Sequence, residues 1–133
     1  MTTIKYLPVR DVMTTDIEMI DGLTSVSDAL ERLRRKQISS LVIERRDEAD
    51  EYGLLTVHDI ASGVLVPDLS PDRVSVYEIM TKPVLALDVE MNIRYAIRLL
   101  TRFSVSRALV LKAGKAVGIV TLRDMVLRCS EFQ

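Results

Sequence analysis

Cysteine, histidine and tryptophan are nearly missing from this chain of 133 residues, which holds one Cys, one His and no Trp. The single cysteine, Cys129, cannot form an internal disulfide. With His58 as the only imidazole, it also cannot complete a Cys/His zinc site. We therefore predict no metal site, and we do not expect catalysis by a metal ion or by a histidine.

An excess of one charge and a long apolar run are also missing. Eighteen Lys and Arg residues against nineteen Asp and Glu give a net charge of −1, which lacks the basic excess typical of nucleic-acid binders and of membrane-surface proteins. No apolar run approaches the roughly 20 residues that span a bilayer. Residues 1–8 lack the apolar stretch of a signal peptide, so we expect a cytoplasmic protein that binds neither nucleic acid nor membrane.

What the chain does contain is an internal repeat. Val9-Arg10-Asp11-Val12-Met13-Thr14 aligns with Val76-Tyr77-Glu78-Ile79-Met80-Thr81 at an offset of 67 residues. Residues 53–59 align with residues 118–124 at an offset of 65. The change in offset falls in the polar segment 44–52, which we interpret as a hairpin loop because exposed turns tolerate changes in length.

Both copies predict the element order β-α-β-β-α. Ser25 and Asn92 are expected N-caps of amphipathic helices whose apolar residues recur at helical spacing. Apolar segments at residues 40–43 and 53–55, and at 108–111 and 118–120, predict the strands that follow. A second helix is expected from about Asp59 and from about Asp124.

The predicted fold class is α/β of the α+β type, with the two β-α-β-β-α repeats packed about a pseudo-two-fold axis. Each repeat, at about 60 residues, would be marginally stable alone, which favours packing of one on the other. We place repeat 1 at residues 8–66 and repeat 2 at residues 76–130. The linker, residues 67–75, is marked by Pro67 and Pro71.

Each copy begins with the pattern Val-x-[Asp/Glu]-[Val/Ile]-Met-Thr and ends with Gly-x-x-Thr-x-x-Asp. In this order and spacing, the two copies resemble a tandem pair of cystathionine-β-synthase (CBS) domains, often called a Bateman module. The resemblance covers roughly residues 8–128. It implies two clefts between the repeats that bind an adenosine derivative such as AMP, ADP, ATP or S-adenosylmethionine. It also implies homodimerisation and the regulation of an enzyme, channel or transporter, which is usually attached to such a module; for this chain we expect a separate partner protein.

The Thr-x-x-Asp endings carry the chemistry of the candidate site. A carboxylate accepts hydrogen bonds from both hydroxyls of a ribose, and a helix N-terminus attracts phosphate. The resemblance implies that Thr56 and Thr121 hold phosphate, and that Asp59 and Asp124 hold ribose. The same motif is also a capping box, which satisfies the helix end without any ligand; both interpretations stay open.

Arg107 breaks the symmetry of the repeats, because the first copy has Ser40 at the matching position. A guanidinium can grip two phosphate oxygens, so the cleft with Arg107 is the better equipped for a phosphorylated ligand. An ordinary surface ion pair, for instance with Glu90, is an equal alternative. Lys82 is a second candidate neighbour of phosphate, although a solvated loop position is favoured.

Four apolar residues are candidates for the walls that would enclose an adenine. Ile17 and Val84 follow the Met-Thr openings, and Leu55 and Val120 precede the two threonines. All four would serve equally well as core residues, so only the resemblance connects them to a ligand.

The sequence thus favours a regulatory module that senses an adenosine nucleotide and signals its occupancy to a partner. The alternative is a constitutive homodimerisation or scaffold module whose clefts are vestigial. An enzyme is not expected, since the chain has no Gly-x-x-x-x-Gly-Lys-[Ser/Thr] loop and no nucleophile–base pair. Adjacent helical residues such as His58 and Asp59 point about 100° apart, which argues against a catalytic dyad.

Overall fold

The computed structural model describes residues 6–130; residues 1–5, part of the N-terminal stretch considered above, lie outside the described part of the chain. The chain forms two compact units. Unit 2 is the continuous segment Glu18–Val84, and unit 1 combines the residues up to Ile17 with those from Leu85 onward. Each unit holds one three-stranded sheet with helices, so the fold is α+β as predicted.

Unit 2 is built on a sheet with the strand order β1 (Met19–Ile20), β2 (Ser40–Ile43), β3 (Gly53–Thr56). Strand β1 runs parallel to β2, and β2 pairs antiparallel with β3, so that Ser40 lies opposite Thr56 at one end and Ile43 opposite Gly53 at the other. The elements are β1 (Met19–Ile20), α1 (Val26–Lys36), β2 (Ser40–Ile43), β3 (Gly53–Thr56) and α2 (Val57–Ile60), followed by a π-helical turn (Ala61–Leu65) and 3₁₀ turns (Pro71–Arg73, Val76–Glu78).

Unit 1 repeats this plan with the strand order β4-β5-β6, again parallel and then antiparallel. Strand β6 begins at Lys115, earlier than predicted, and the hairpin turn shortens to Ala113 and Gly114. The elements are a 3₁₀ turn (Val9–Asp11), β4 (Ala86–Asp88), α3 (Ile93–Arg102), β5 (Arg107–Lys112), β6 (Lys115–Thr121) and α4 (Leu122–Ser130).

The caps of the two long amphipathic helices are as predicted. The Ser25 hydroxyl accepts a hydrogen bond from the Asp28 N–H at 3.1 Å, and the Asn92 side chain accepts one from the Arg94 N–H at 3.2 Å. These bonds satisfy donors that a helix start leaves unpaired. The second helices begin two residues earlier than predicted, at Val57 and at Leu122.

Each unit has its own hydrophobic core between its sheet and its helices. The predicted helical stripes supply the inner faces, with Leu30 and Ile97 only partly buried. The buried side chains on those faces are Val26, Ala29 and Leu33 in unit 2, and Ile93, Ala96 and Leu100 in unit 1. Burial of these apolar faces is the main force that fixes the helices against the sheets.

The compact units do not follow the sequence repeats, because each unit contains the opening segment of the other repeat. Thr14 and Ile119 exchange two backbone hydrogen bonds of 2.8 and 3.0 Å within unit 1. Thr81 and Leu54 make the equivalent pair of bonds, 2.9 and 3.0 Å, within unit 2. Each Met-Thr opening is therefore a short extension of the sheet formed by the other copy.

Candidate functional site

The strand-to-helix junction of unit 1 gathers the predicted polar residues at one edge of the sheet. Thr121 ends β6 and lies opposite Arg107, the first residue of β5. The Asp124 N–H donates to the Thr121 hydroxyl at 3.1 Å, and the Leu122 N–H donates to the Ser106 carbonyl at 2.8 Å. The structure therefore brings together Thr121, Asp124 and Arg107, the three residues expected to form the better-equipped cleft.

The Asp124 carboxylate at this junction is open to solvent. Its side chain is 45% exposed, and Arg123 Nη1 lies 3.9 Å from Oδ1, at the limit of an ion pair. A carboxylate has two acceptor oxygens, and a loosely held one keeps both available for a pair of hydroxyls. Arg107 is half-buried and lies opposite Thr121, and Glu90, its suggested partner on the surface, binds Arg10.

The junction of unit 2 is organised differently. The Thr56 N–H donates to Asp59 Oδ2 at 2.9 Å, and the Asp59 N–H donates to the Thr56 hydroxyl at 3.2 Å. This reciprocal capping box engages both side chains at the start of the four-residue helix α2. The capping interpretation of the motif is therefore confirmed here, and Ser40 lies where unit 1 has Arg107.

The four residues predicted to line an adenine site fall into two classes. Ile17 and Val84 are half-buried, Ile17 in unit 1 with Thr121 and Val84 in unit 2 with Thr56. Leu55 and Val120 are 0% and 1% exposed, and both belong to the hydrophobic cores. Their side chains therefore pack in the cores of the two units.

A cavity of about 910 Å³ lies in unit 2 at the hairpin end of the sheet, away from Thr56 and Asp59. None of the residues predicted to bind a ligand lines it, apart from Lys82, the second candidate for phosphate. Its walls mix apolar and charged side chains: Asp21, Gly22, Leu23, Ile43, Glu44, Arg45, Arg46, Asp50, Tyr77, Met80 and Lys82.

Lys82 occupies an exposed loop position, as the sequence favoured, but its ammonium is held in an ion pair. Its ammonium nitrogen lies 2.5 Å from Asp50 Oδ1, and the Asp50 side chain is only 9% exposed. The hydrogen bond from Lys82, with further ones from the backbone and side chain of Arg46, holds the pKa of Asp50 well below its usual range. The pair ties the β2–β3 loop to the segment after Met80, and no pattern in the sequence pointed to it.

Across residues 6–130, no three His, Cys, Asp or Glu side chains are grouped so that they could hold a metal ion. No helix within the same residues has the length and apolar character needed to cross a membrane.

Comparison with known proteins decides the family. The profile described as "CBS domain" matches residues 9–65 and again residues 76–131, which together make up most of the chain. The chain belongs to the CBS domain family. The resemblance inferred from the two openings and endings is thereby confirmed, and the chain is a CBS domain pair.

Curated relatives of this CBS pair include an uncharacterised 33.4 kDa protein from Thermofilum pendens, 26% identical over 92% of this chain and 44% of the relative. An uncharacterised protein from Methanopyrus kandleri is 32% identical over 71% of this chain and 48% of its own length. The chain thus spans about half the length of these two relatives.

Solved structures share the fold throughout the chain. The hexameric CBS-CP12 protein from bloom-forming cyanobacteria is 30% identical, with a TM-score of 0.88 over 94% of this chain and 69% of that one. The CBS domain pair of protein MJ0100, in complex with 5′-methylthioadenosine and S-adenosyl-L-methionine, is 21% identical, with a TM-score of 0.79 over 97% of this chain and 100% of its own.

Proposed function

We propose that this CBS pair is a regulatory module that binds an adenosine derivative at the Thr121–Asp124 junction of unit 1 and signals its occupancy to a separate protein. The observation that carries the proposal is the grouping of a solvent-open carboxylate, a threonine hydroxyl and an arginine at the start of the nine-residue helix α4. The adenosine ligands of MJ0100 support the same ligand class.

Each residue of the junction has a distinct role in this proposal. Asp124 accepts hydrogen bonds from the two ribose hydroxyls, and Thr121 with the first N–H groups of α4 receives a phosphate or another negative group. Arg107 adds a guanidinium that grips phosphate oxygens, which favours AMP, ADP or ATP over an uncharged nucleoside. Ile17 contributes an apolar surface for the adenine.

The proposed signalling depends on the fact that these residues come from both sequence repeats. Ile17 belongs to the first sequence repeat and Thr121, Asp124 and Arg107 to the second, so a ligand at this junction touches both repeats. Such a ligand stabilises the arrangement that brings them together, and only differential affinity of this kind shifts a conformational equilibrium. We further propose that the module acts in the cytoplasm, self-associates as a homodimer and has no catalytic activity of its own.

The second candidate function is a homodimeric scaffold whose junctions serve only as helix caps. The reciprocal bonds between Thr56 and Asp59 favour this role for unit 2, because the box is complete without a ligand. The sensing function needs only the junction of unit 1, and the junction of unit 2 is then structural.

Thermal unfolding with AMP, ADP, ATP, S-adenosylmethionine, 5′-methylthioadenosine and adenosine tests the proposal. A ligand at about 100 times its Kd stabilises the fold by about 2.7 kcal/mol, which raises the midpoint measurably. We expect Asp124→Ala to abolish the gain and Asp59→Ala to preserve it. Arg107→Gln should weaken AMP binding tenfold or more and leave adenosine binding unchanged.

If none of these compounds raises the midpoint, the sensing function is rejected in favour of the scaffold function. If Asp59→Ala abolishes the gain and Asp124→Ala preserves it, the ligand site lies at the junction of unit 2 instead.

A further inference from the structure

The cavity of unit 2 is a feature that the proposed function does not use. It has a volume of about 910 Å³ and lies at the hairpin end of the sheet, where Ile43 is opposite Gly53, whereas Thr56 lies at the other end. All of its lining residues belong to unit 2. Ligand sites in proteins are concave spaces of this size that combine an apolar surface with a few polar groups. The cavity therefore has the dimensions of a site for a small molecule.

The long β2–β3 loop of unit 2 supplies one part of the lining. Residues 44–52 form this loop, whereas the hairpin turn of unit 1 is far shorter. The loop is fixed by its own contacts: the Arg46 N–H donates to Asp50 Oδ2 at 2.8 Å, and Asp50 Oδ1 accepts from the Lys82 ammonium at 2.5 Å. A wall that is ordered before the ligand arrives lowers the entropic cost of binding.

Another part of the lining is apolar. Leu23 and Tyr77 are 77% and 53% exposed, and the buried Ile43 and the half-buried Met80 line the same cavity. The Tyr77 N–H donates to the Gly22 carbonyl at 3.1 Å, so the segments that carry these side chains are joined. An accessible tyrosine ring beside aliphatic side chains suits the flat apolar part of a ligand.

Three cations of the lining keep N–H donors available. The Arg45 guanidinium lies over the Tyr52 ring, 5.3 Å from its centre, and this contact does not use the N–H groups in the guanidinium plane. Within residues 6–130, no carboxylate is within ion-pair distance of Arg45. Arg46 meets Asp50 through Nε at 3.3 Å, which leaves its terminal nitrogens, and the Lys82 ammonium has two N–H groups besides the one directed at Asp50.

The carboxylates of the lining are more fully engaged than the cations. Asp50 accepts through both oxygens, from Lys82 and from the backbone and side chain of Arg46. Asp21 Oδ1 accepts a backbone N–H at 2.7 Å. Glu44, which is exposed, is the carboxylate that opposes an anion there. Available donors thus outnumber available acceptors, and this excess favours an anionic ligand although the formal charges of the lining cancel.

We propose that this cavity is a second ligand site, which takes a small organic phosphate. The apolar part of the ligand lies against Tyr77 and Leu23, and the phosphate receives N–H groups from the three cations, because guanidiniums bind phosphate oxygens in pairs. A phosphate monoester has three terminal oxygens and nearly two charges at neutral pH, which matches three cations better than a carboxylate does. The site is separate from the junction of unit 1, so it does not rest on the sensing function.

Three probes with the same ring system and different charges test the ligand class. Fluorescence titration of the 133-residue chain compares naphthyl phosphate, naphthol and naphthylmethylamine. We expect naphthyl phosphate to bind at least tenfold more tightly than naphthol, since it alone gains charge-assisted hydrogen bonds, and the cationic amine to bind most weakly. Equal binding of the three probes, tighter binding of the amine, or no binding at all would each overturn the proposal.

Amide NMR signals locate the bound probe. Naphthyl phosphate should shift the signals of Gly22, Arg45, Tyr77 and Lys82, all of which line the cavity. Shifts at the junction of unit 1 without shifts at these four residues would place the probe there and reject the cavity as its site.

Substitution of the cations separates the phosphate contact from the apolar contact. The double variant Arg45→Gln, Arg46→Gln should weaken naphthyl phosphate at least tenfold and leave naphthol unchanged, and Glu44→Gln should strengthen naphthyl phosphate. The matched control is Arg35→Gln, an exposed position of α1 outside the cavity, which should bind like the parent chain. A double variant that binds naphthyl phosphate like the parent contradicts the proposed contact.

Filling the cavity at Gly22 gives a steric test. A Cβ added to Gly22 would lie 3.4 Å from Tyr77 Cβ and 3.6 Å from Ile43 Cγ2, which is ordinary van der Waals contact, so the fold should tolerate Gly22→Leu. The larger side chain should abolish binding of both naphthyl phosphate and naphthol. Circular dichroism and the thermal midpoint verify folding, and if Gly22→Leu is unfolded, the arginine variant decides. A folded Gly22→Leu that binds both probes like the parent would show that they bind elsewhere.

Discussion

The side chain of Met80 packs so closely on Gly53 that a Cβ added to Gly53 would lie 2.6 Å from the Met80 sulfur. Met13 packs on Gly118 in the same way, with a distance of 2.7 Å, and the Thr14 carbonyl oxygen lies 2.8 Å from the same position. The Met-Thr openings and the Gly-x-x-Thr endings are therefore two halves of one contact. Each methionine covers the glycine of the other repeat, beside the backbone bonds that join the two segments.

Alanine at either glycine should destabilise the fold by about 1–3 kcal/mol, because it overpacks this contact. We expect Gly118→Ala to cost more than Gly53→Ala, since a backbone carbonyl moves less easily than the end of a methionine. Met80→Ala should partly rescue Gly53→Ala, whereas Met13→Ala should rescue Gly118→Ala less. Urea unfolding of the four single and two double variants measures the loss of unfolding free energy in each. Equal losses at the two glycines would contradict the role of the Thr14 carbonyl.

The Asp50–Lys82 ion pair should make stability depend on pH. The pKa of Asp50 is lowered in the folded state, so the carboxylate stabilises the fold fully above its unfolded pKa of 3.8, and this stabilisation is lost as pH falls below that value. Asp50→Asn should lower the thermal midpoint at pH 7, and the difference from the parent chain should shrink below about pH 4. Glu48→Gln, in the same loop and exposed, is the control. A difference that stays constant down to pH 2 would argue against the pair.

The Thr56–Asp59 capping box should contribute to stability without ligand. Removal of a capping side chain costs about 1 kcal/mol. Thr56→Ala and Asp59→Ala should each cost about that much, and the double variant should cost less than the sum, because the two bonds belong to one box. Full additivity in chemical denaturation would show that the two residues act independently.

Leu55 should behave as a core residue and not as a wall of a ligand site. Truncation of a fully buried leucine removes its burial energy and leaves a cavity, so Leu55→Ala should cost about 2–5 kcal/mol. Ile17→Ala, at a half-buried position, should cost less and should weaken binding of an adenosine derivative. The free energy of unfolding, measured with and without ligand, separates the loss of stability from the loss of binding. A small loss of stability in Leu55→Ala would contradict the assignment of Leu55 to the core.

Local patterns in the sequence predicted much of this protein. The Ser25 and Asn92 caps, the apolar stripes of α1 and α3 and the Thr56–Asp59 box all depend on residues within a few positions of one another. Hydrogen bonds of caps and the periodicity of a helix are set over such short distances, so one copy of the repeat is enough to reveal them.

The tertiary structure decided the rest. It alone shows that residues up to Ile17 join the second sheet and residues 76–84 the first, that Lys82 meets Asp50, and that Leu55 and Val120 turn into the cores. These contacts join residues far apart in sequence, such as Thr14 with Ile119 and Asp50 with Lys82, so a window of a few residues does not contain both partners.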